Sequence, residues 1–75
     1  MSKKPAVHTV PHGDGWANRT EGASRVFGPA RTQAEAETIG QASARSRGVE
    51  WIGHHKDGTI GDRRSYGNDP YPPKG

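Results

Sequence analysis

The chain has 75 residues, of which 28% are apolar, eleven are glycine and none is cysteine or leucine. That supports one small core in one domain, and it excludes disulfides and thiolate metal sites. Eleven Lys and Arg against eight Asp and Glu give a net charge of +3, with the excess in residues 1–31, a mild field that favours polyanions, nucleic acid among them.

No stretch approaches the ~20 apolar residues of a membrane span, and no apolar segment follows Met1. The expectation is a cytoplasmic protein with no membrane association.

Residues 1–4 read as a polar tail. Ala6-Val7-His8-Thr9-Val10 is rich in β-branched residues and predicts a first strand. Pro11-His12-Gly13-Asp14-Gly15 is turn chemistry. Residues 16–20 predict a second strand, Glu21-Gly22 a second turn, and Ser24-Arg25-Val26-Phe27 a third strand ended by Gly28-Pro29. Thr32 followed by Glu35 is a capping box. The helix it opens runs from Gln33 to about Arg47, with acids early, Arg45 and Arg47 late, and Gly48 as a left-handed stop. Its predicted buried stripe is Ala36, Ile39, Gly40 and Ser43, with Ala42 at the edge. These small residues require the helix to lie close to the sheet. Residues 49–55 predict a fourth strand. Asp57-Gly58 marks a hairpin turn. A fifth strand starts near Thr59, and residues 65–75 read as a Pro/Gly/Tyr-rich tail. The expected fold is therefore α+β, in the order β-β-β-α-β-β, with one helix on one face of an antiparallel sheet. The domain spans residues 5–64.

Alternation places Val49 and Trp51 on one face of the fourth strand, and Glu50, Ile52 and His54 on the other. One of Trp51 and Ile52 must then point away from the helix. It would be exposed unless the tail or a partner covers it.

The valine-bearing first strand ends at Pro11 and Gly15-Trp16-Ala17 follows. Glu21-Gly22, the Thr32-to-Ala36 helix start, Asp57-Gly58-Thr59-Ile60 and Tyr66-Gly67-Asn68-Asp69-Pro70 complete a pattern across nearly the whole chain. It resembles the bacterial and phage family known as domain of unknown function 2188. The resemblance implies a compact fold and no particular activity. Trp51 stands where that pattern suggests a smaller aliphatic residue, and Asn18 where it suggests a more β-prone one. Residues 15–47 are also similar, at fold level, to the three-stranded-sheet DNA-binding domains of phage-type integrases.

No catalytic set emerges. Cysteine is absent, no Gly-x-Ser-x-Gly elbow occurs, and no Gly-Lys-Ser/Thr follows Gly13-Asp14-Gly15. So small a core leaves little room for an enclosed pocket of ~300 Å³ that would desolvate a carboxylate. A metal site would need His8, His12 and one of His54 and His55 to converge, and the spacing does not favour it. The expectation is no enzyme, no metal and no cofactor.

The expected role is a non-enzymatic binding module that docks on a larger protein, as a regulator or inhibitor, or pairs with a second copy of itself. Trp51 or Ile52, with Tyr66 and Tyr71, are the residues expected at such a contact. The alternative is nucleic-acid binding through a basic sheet face. Arg19, Arg25 and Arg31, with Lys3, Lys4, Arg63 and Arg64, would hold phosphate beside Trp16.

Overall fold

The computed structural model describes residues 5–66. Its elements are β1 (Val7–His12), β2 (Gly15–Thr20), β3 (Val26–Ala30), α1 (Gln33–Arg47), β4 (Glu50–His54) and β5 (Ile60–Ser65). The fold is α+β, in the expected order.

Local chemistry sets the helix ends. Thr32 is extended, and its hydroxyl accepts from the Glu35 N–H at 3.2 Å. Gly48 stops the helix at φ 69°, with its N–H turned back to Ala44 and Arg45. The helix spans the predicted residues.

The sheet order is β3-β2-β1-β4-β5. The expectation of an antiparallel sheet needs correction: β4 pairs with β1 in parallel, through Val7–Trp51, His8–Ile52 and Thr9–Gly53. The chain leaves β3 at one edge, and α1 carries it back across one face to the end where β1 begins. β4 starts there, so it runs alongside β1 rather than against it.

β3 also differs from its prediction. It begins at Val26 and runs through Gly28 and Pro29 to Ala30. Gly28 adopts φ 57° where the β2–β3 register shifts, so the pair that looked like a stop is a bulge within the strand. Arg25 therefore precedes β3, and Val26 is the partner of Arg19. At the other end of the chain, Arg63 and Arg64 lie within β5. Ser65 closes that strand, and the Tyr66 N–H donates to Val49 O, so neither residue opens a tail.

α1 packs against β1 to β4 through Ala36, Gly40 and Ala44, spaced four apart. Ala44 replaces Ser43 in the predicted stripe. Ile39 leans over Gly28 and stays 38% exposed. Val7, Ala44, Val49 and Trp51 form the core, with Phe27 and Tyr66 against it. Trp51 thus faces the helix. Its indole lies over Gly53, where a Cβ would sit 2.5 Å from the ring.

A chain of hydrogen bonds threads this interface. The Trp51 indole N–H donates to Thr9 Oγ1 at 2.8 Å, and the Thr9 hydroxyl donates to Asn18 Oδ1 at 2.5 Å. The Asn18 amide donates to Ala36 O at 3.0 Å and Gly28 O at 3.4 Å. Asn18 and Thr9 are fully buried, and each side-chain polar group has a partner. Asn18, an odd residue for a strand, is here the link between β1, β2, β3 and α1. Gly40 lets the backbone of α1 approach it: a Cβ there would collide with Asn18 Oδ1 and lie 2.7 Å from Thr9 Oγ1.

Candidate functional site

Two surfaces carry chemistry that the core does not consume. The first lies where β3 turns into α1. A groove of about 590 Å³ is floored by Gly15, Trp16 and Ala30, and rimmed by His12, Asp14, Pro29 and Arg31. A second, of about 720 Å³, continues past Pro29, Ala30 and Arg31 to Glu35, Thr38 and Ile39. The two share Pro29, Ala30 and Arg31. Both are open to solvent, and their acidic groups, Asp14 and Glu35, are exposed. They are open grooves rather than enclosed pockets, and they leave both carboxylates in water. Among the described residues Arg31 makes no salt bridge.

This surface forms for local reasons. Gly15 lets β2 approach β3 closely, since a Cβ there would lie 2.5 Å from Ala30 O. The bulge at Gly28 turns β3 outward, and Pro29 follows it exposed.

The second surface is the sheet face away from α1. Register and alternation put Val26, Arg19, His8, Ile52 and Arg63 in one row across all five strands. Arg19 and Arg63 are exposed. At strand spacings of ~4.8 Å they stand about 14 Å apart. Ile52 is only 6% exposed, between His8 and Arg63.

The family described as an uncharacterized protein conserved in bacteria (DUF2188) matches residues 7–66. The chain belongs to this family. No curated protein and no solved structure matches it. In this DUF2188 chain the match begins at the first residue of β1 and ends at Tyr66, so it takes in every element of the fold.

The DUF2188 fold redistributes the residues expected to bind. Trp51 is fully buried and is not available to a partner, because Gly53 leaves room for its indole and Val7, Ala44 and Val49 pack with it in the core. Ile52 points away from α1 but is also buried, so the expected apolar exposure on β4 does not arise. Among the described residues the exposed large apolar ones are Ile39 and Ile60 instead. Tyr66 is half-buried against the core beneath the Arg45 guanidinium, 5.6 Å from the ring centroid. Arg47 covers Phe27 in the same way at 5.4 Å and donates to Thr20 Oγ1.

Of the basic candidates, Arg19 and Arg63 share the open face. Arg25 lies in the β2–β3 connection. Arg31 sits on the groove. Arg64, paired in register with Trp51, is on the α1 side and approaches Asp62 at 3.8 Å. Lys3, Lys4 and Tyr71 lie outside the described residues. Pro29, Ala30 and Ile39 were not expected as surface, and Trp16, expected beside the basic residues of the sheet, lines the groove with Arg31. The turn pair Gly28-Pro29 was the available signal, since a bulge in a strand re-aims its neighbours.

Among the described residues no three metal-binding side chains converge. His8 and His54 do meet, with His8 Nδ1 and His54 Nε2 2.9 Å apart. No described helix is long and apolar enough to cross a membrane.

Proposed function

We propose that this protein is a non-enzymatic binding module, and that it holds a segment of a larger partner protein in the groove at the β3–α1 corner. The observation that carries this reading is the composition of that groove. Trp16, Ala30 and Ile39 offer apolar surface with Pro29 on the rim, and Arg31 stands where the two halves of the groove meet. An aromatic beside an unpaired arginine is the usual composition of an energetic contact. The net charge of +3 favours an acidic segment.

The sheet edges support the groove over strand addition. β3 is bulged at Gly28, and Pro29 has no N–H to give. β5 carries Asp62, Arg63 and Arg64 and is also bulged. Both features protect an edge against pairing.

The test is selection of a random peptide library on the purified protein, followed by affinities for variants. Selected peptides should pair an acidic residue with apolar ones, and Arg31→Glu should weaken them about tenfold or more, equivalent to ~1.4 kcal/mol. Peptides indifferent to Arg31→Glu and Trp16→Ala would overturn the reading.

A second reading rests on Arg19 and Arg63, exposed on one sheet face, with duplex DNA as the ligand. It requires affinity that falls steeply with salt, at a slope near −0.9 per phosphate neutralised. It also requires loss of binding in Arg19→Ala rather than in Arg31→Glu.

A further inference from the structure

His8 and His54 lie 46 residues apart in the chain and belong to different strands, yet their ring centroids are 5.1 Å apart. Their hydrogen bonds fix where the protons are. The carbonyl of Gly58 only accepts, and His54 Nδ1 lies 2.9 Å from it, so His54 Nδ1–H donates. A neutral His54 then has only Nε2 left as an acceptor. His8 Nδ1, 2.9 Å away, must therefore donate to it. This leaves His8 Nε2 with its lone pair towards Glu21 Oε1 at 3.9 Å.

The resulting line runs Glu21, His8, His54, Gly58 O. It ties β1 to the turn between β4 and β5. Two backbone bonds cross that turn, His55 N–H to Thr59 O at 2.6 Å and Gly58 N–H to His55 O at 2.9 Å, and the Asp57 carboxylate accepts from the Thr59 N–H and hydroxyl within it.

The line accepts one proton without rearrangement. A proton on His8 Nε2 faces Glu21, and His8 Nδ1–H continues to donate to His54. A second proton has no place. It would sit on His54 Nε2, directly against His8 Nδ1–H, and put two imidazolium rings in contact. Glu21 holds the protonated His8 in place, so the ring that turns out is His54, and it then releases Gly58 O.

The charged surroundings favour that outcome. From β2 and the turn after it come Arg19 and Glu21. β4 itself carries Glu50 on the same face. β5 brings Arg63 opposite Ile52, while the apolar Ile60 stands opposite His54. The β4–β5 turn holds His55, Lys56 and Asp57. α1 lies on the other face of the sheet, where Gln33 donates both to His54 O and to Glu37. Among the described residues Glu21 is the acid within 4 Å of the pair. It can balance one added charge and not two. Burial and His54 already hold the His8 pKa below the ordinary histidine value, with Glu21 pulling it up and Arg19 down.

We infer that His8 and His54 form a one-proton switch, which keeps the β4–β5 turn closed near neutral pH and releases it in mild acid when the second proton arrives.

The experiment is a titration of the wild-type protein by NMR from about pH 7.5 to about pH 5, with ring ¹⁵N shifts and amide exchange followed together. At the upper pH both rings should carry the proton on Nδ1. The pair should take up protons in two separated steps. The protection of the His55 and Gly58 amides should fall about tenfold or more at the second step. In His8→Gln that fall should vanish, because His54 then protonates with no opposing ring. Two rings titrating together as independent groups, or amide protection that stays level in the wild type, would overturn the inference. The wild-type titration decides the matter even if His8→Gln does not fold.

Discussion

Thr9 shows how much one hydroxyl can carry at the scale of a residue. It accepts from Trp51 and donates to Asn18, with all three residues fully buried. Thr9→Val keeps the shape and strands both neighbours. At about 1–3 kcal/mol for each buried group left alone, urea denaturation should show a loss of several kcal/mol. Gly40 gives a sharper result, because its sign is unusual. Gly→Ala within a helix normally stabilises by up to ~1 kcal/mol. Here the added methyl meets Asn18 and Thr9. Gly40→Ala should destabilise by about 1–3 kcal/mol in the same assay, and a stabilised Gly40→Ala would mean that α1 does not approach β1 and β2 as described.

At the scale of elements, α1 is the part the sequence described best. Its cap, its stop and its end charges are interactions between residues at most a few positions apart, so they are visible in a string. Thr32→Ala should cost about 1 kcal/mol, measured by thermal or urea unfolding. Strand limits were less legible. Gly28-Pro29 has the composition of a stop, and only the pairing of Val26–Ala30 with β2 turns it into a bulge. Tyr66 likewise belongs to a proline-rich stretch by composition, and to the domain by its contacts with Val49 and Arg45. The exposure of Trp51 or Ile52 was misjudged for a related reason. Alternation separates the two faces correctly, but it does not say how much of Ile52 stays open to solvent, and the fold leaves it only 6% exposed.

The whole molecule adds a dependence on pH. In the folded state burial favours neutral His8, so its pKa lies below the ordinary value of 6.5, and the unfolded chain binds that proton first. The contribution of His8 to stability is therefore complete above about pH 6.5. It declines as the pH falls below that value and levels off once folded His8 is also protonated. Urea midpoints measured in steps of pH should show this decline in the wild type, and a weaker one in His8→Gln. The groove belongs to the same scale, since its floor comes from β2, β3 and α1 together. A binding surface assembled from residues 12 to 39 has no compact motif to recognise.

The sequence by itself determined the order of the elements, the span of the helix and the family resemblance, because turn glycines, caps and alternation act over a few residues. Tertiary structure decided the parallel pairing of β4 with β1, the burial of Trp51, the corner groove, and the meeting of His8 with His54. Those features depend on where α1 sets the chain down after crossing the sheet. That landing place is set by the fit of small helix residues over the sheet, with Gly40 against Asn18 and Thr9 and with Ala44 in the core beside Trp51, a fit between surfaces that exists only once both are folded.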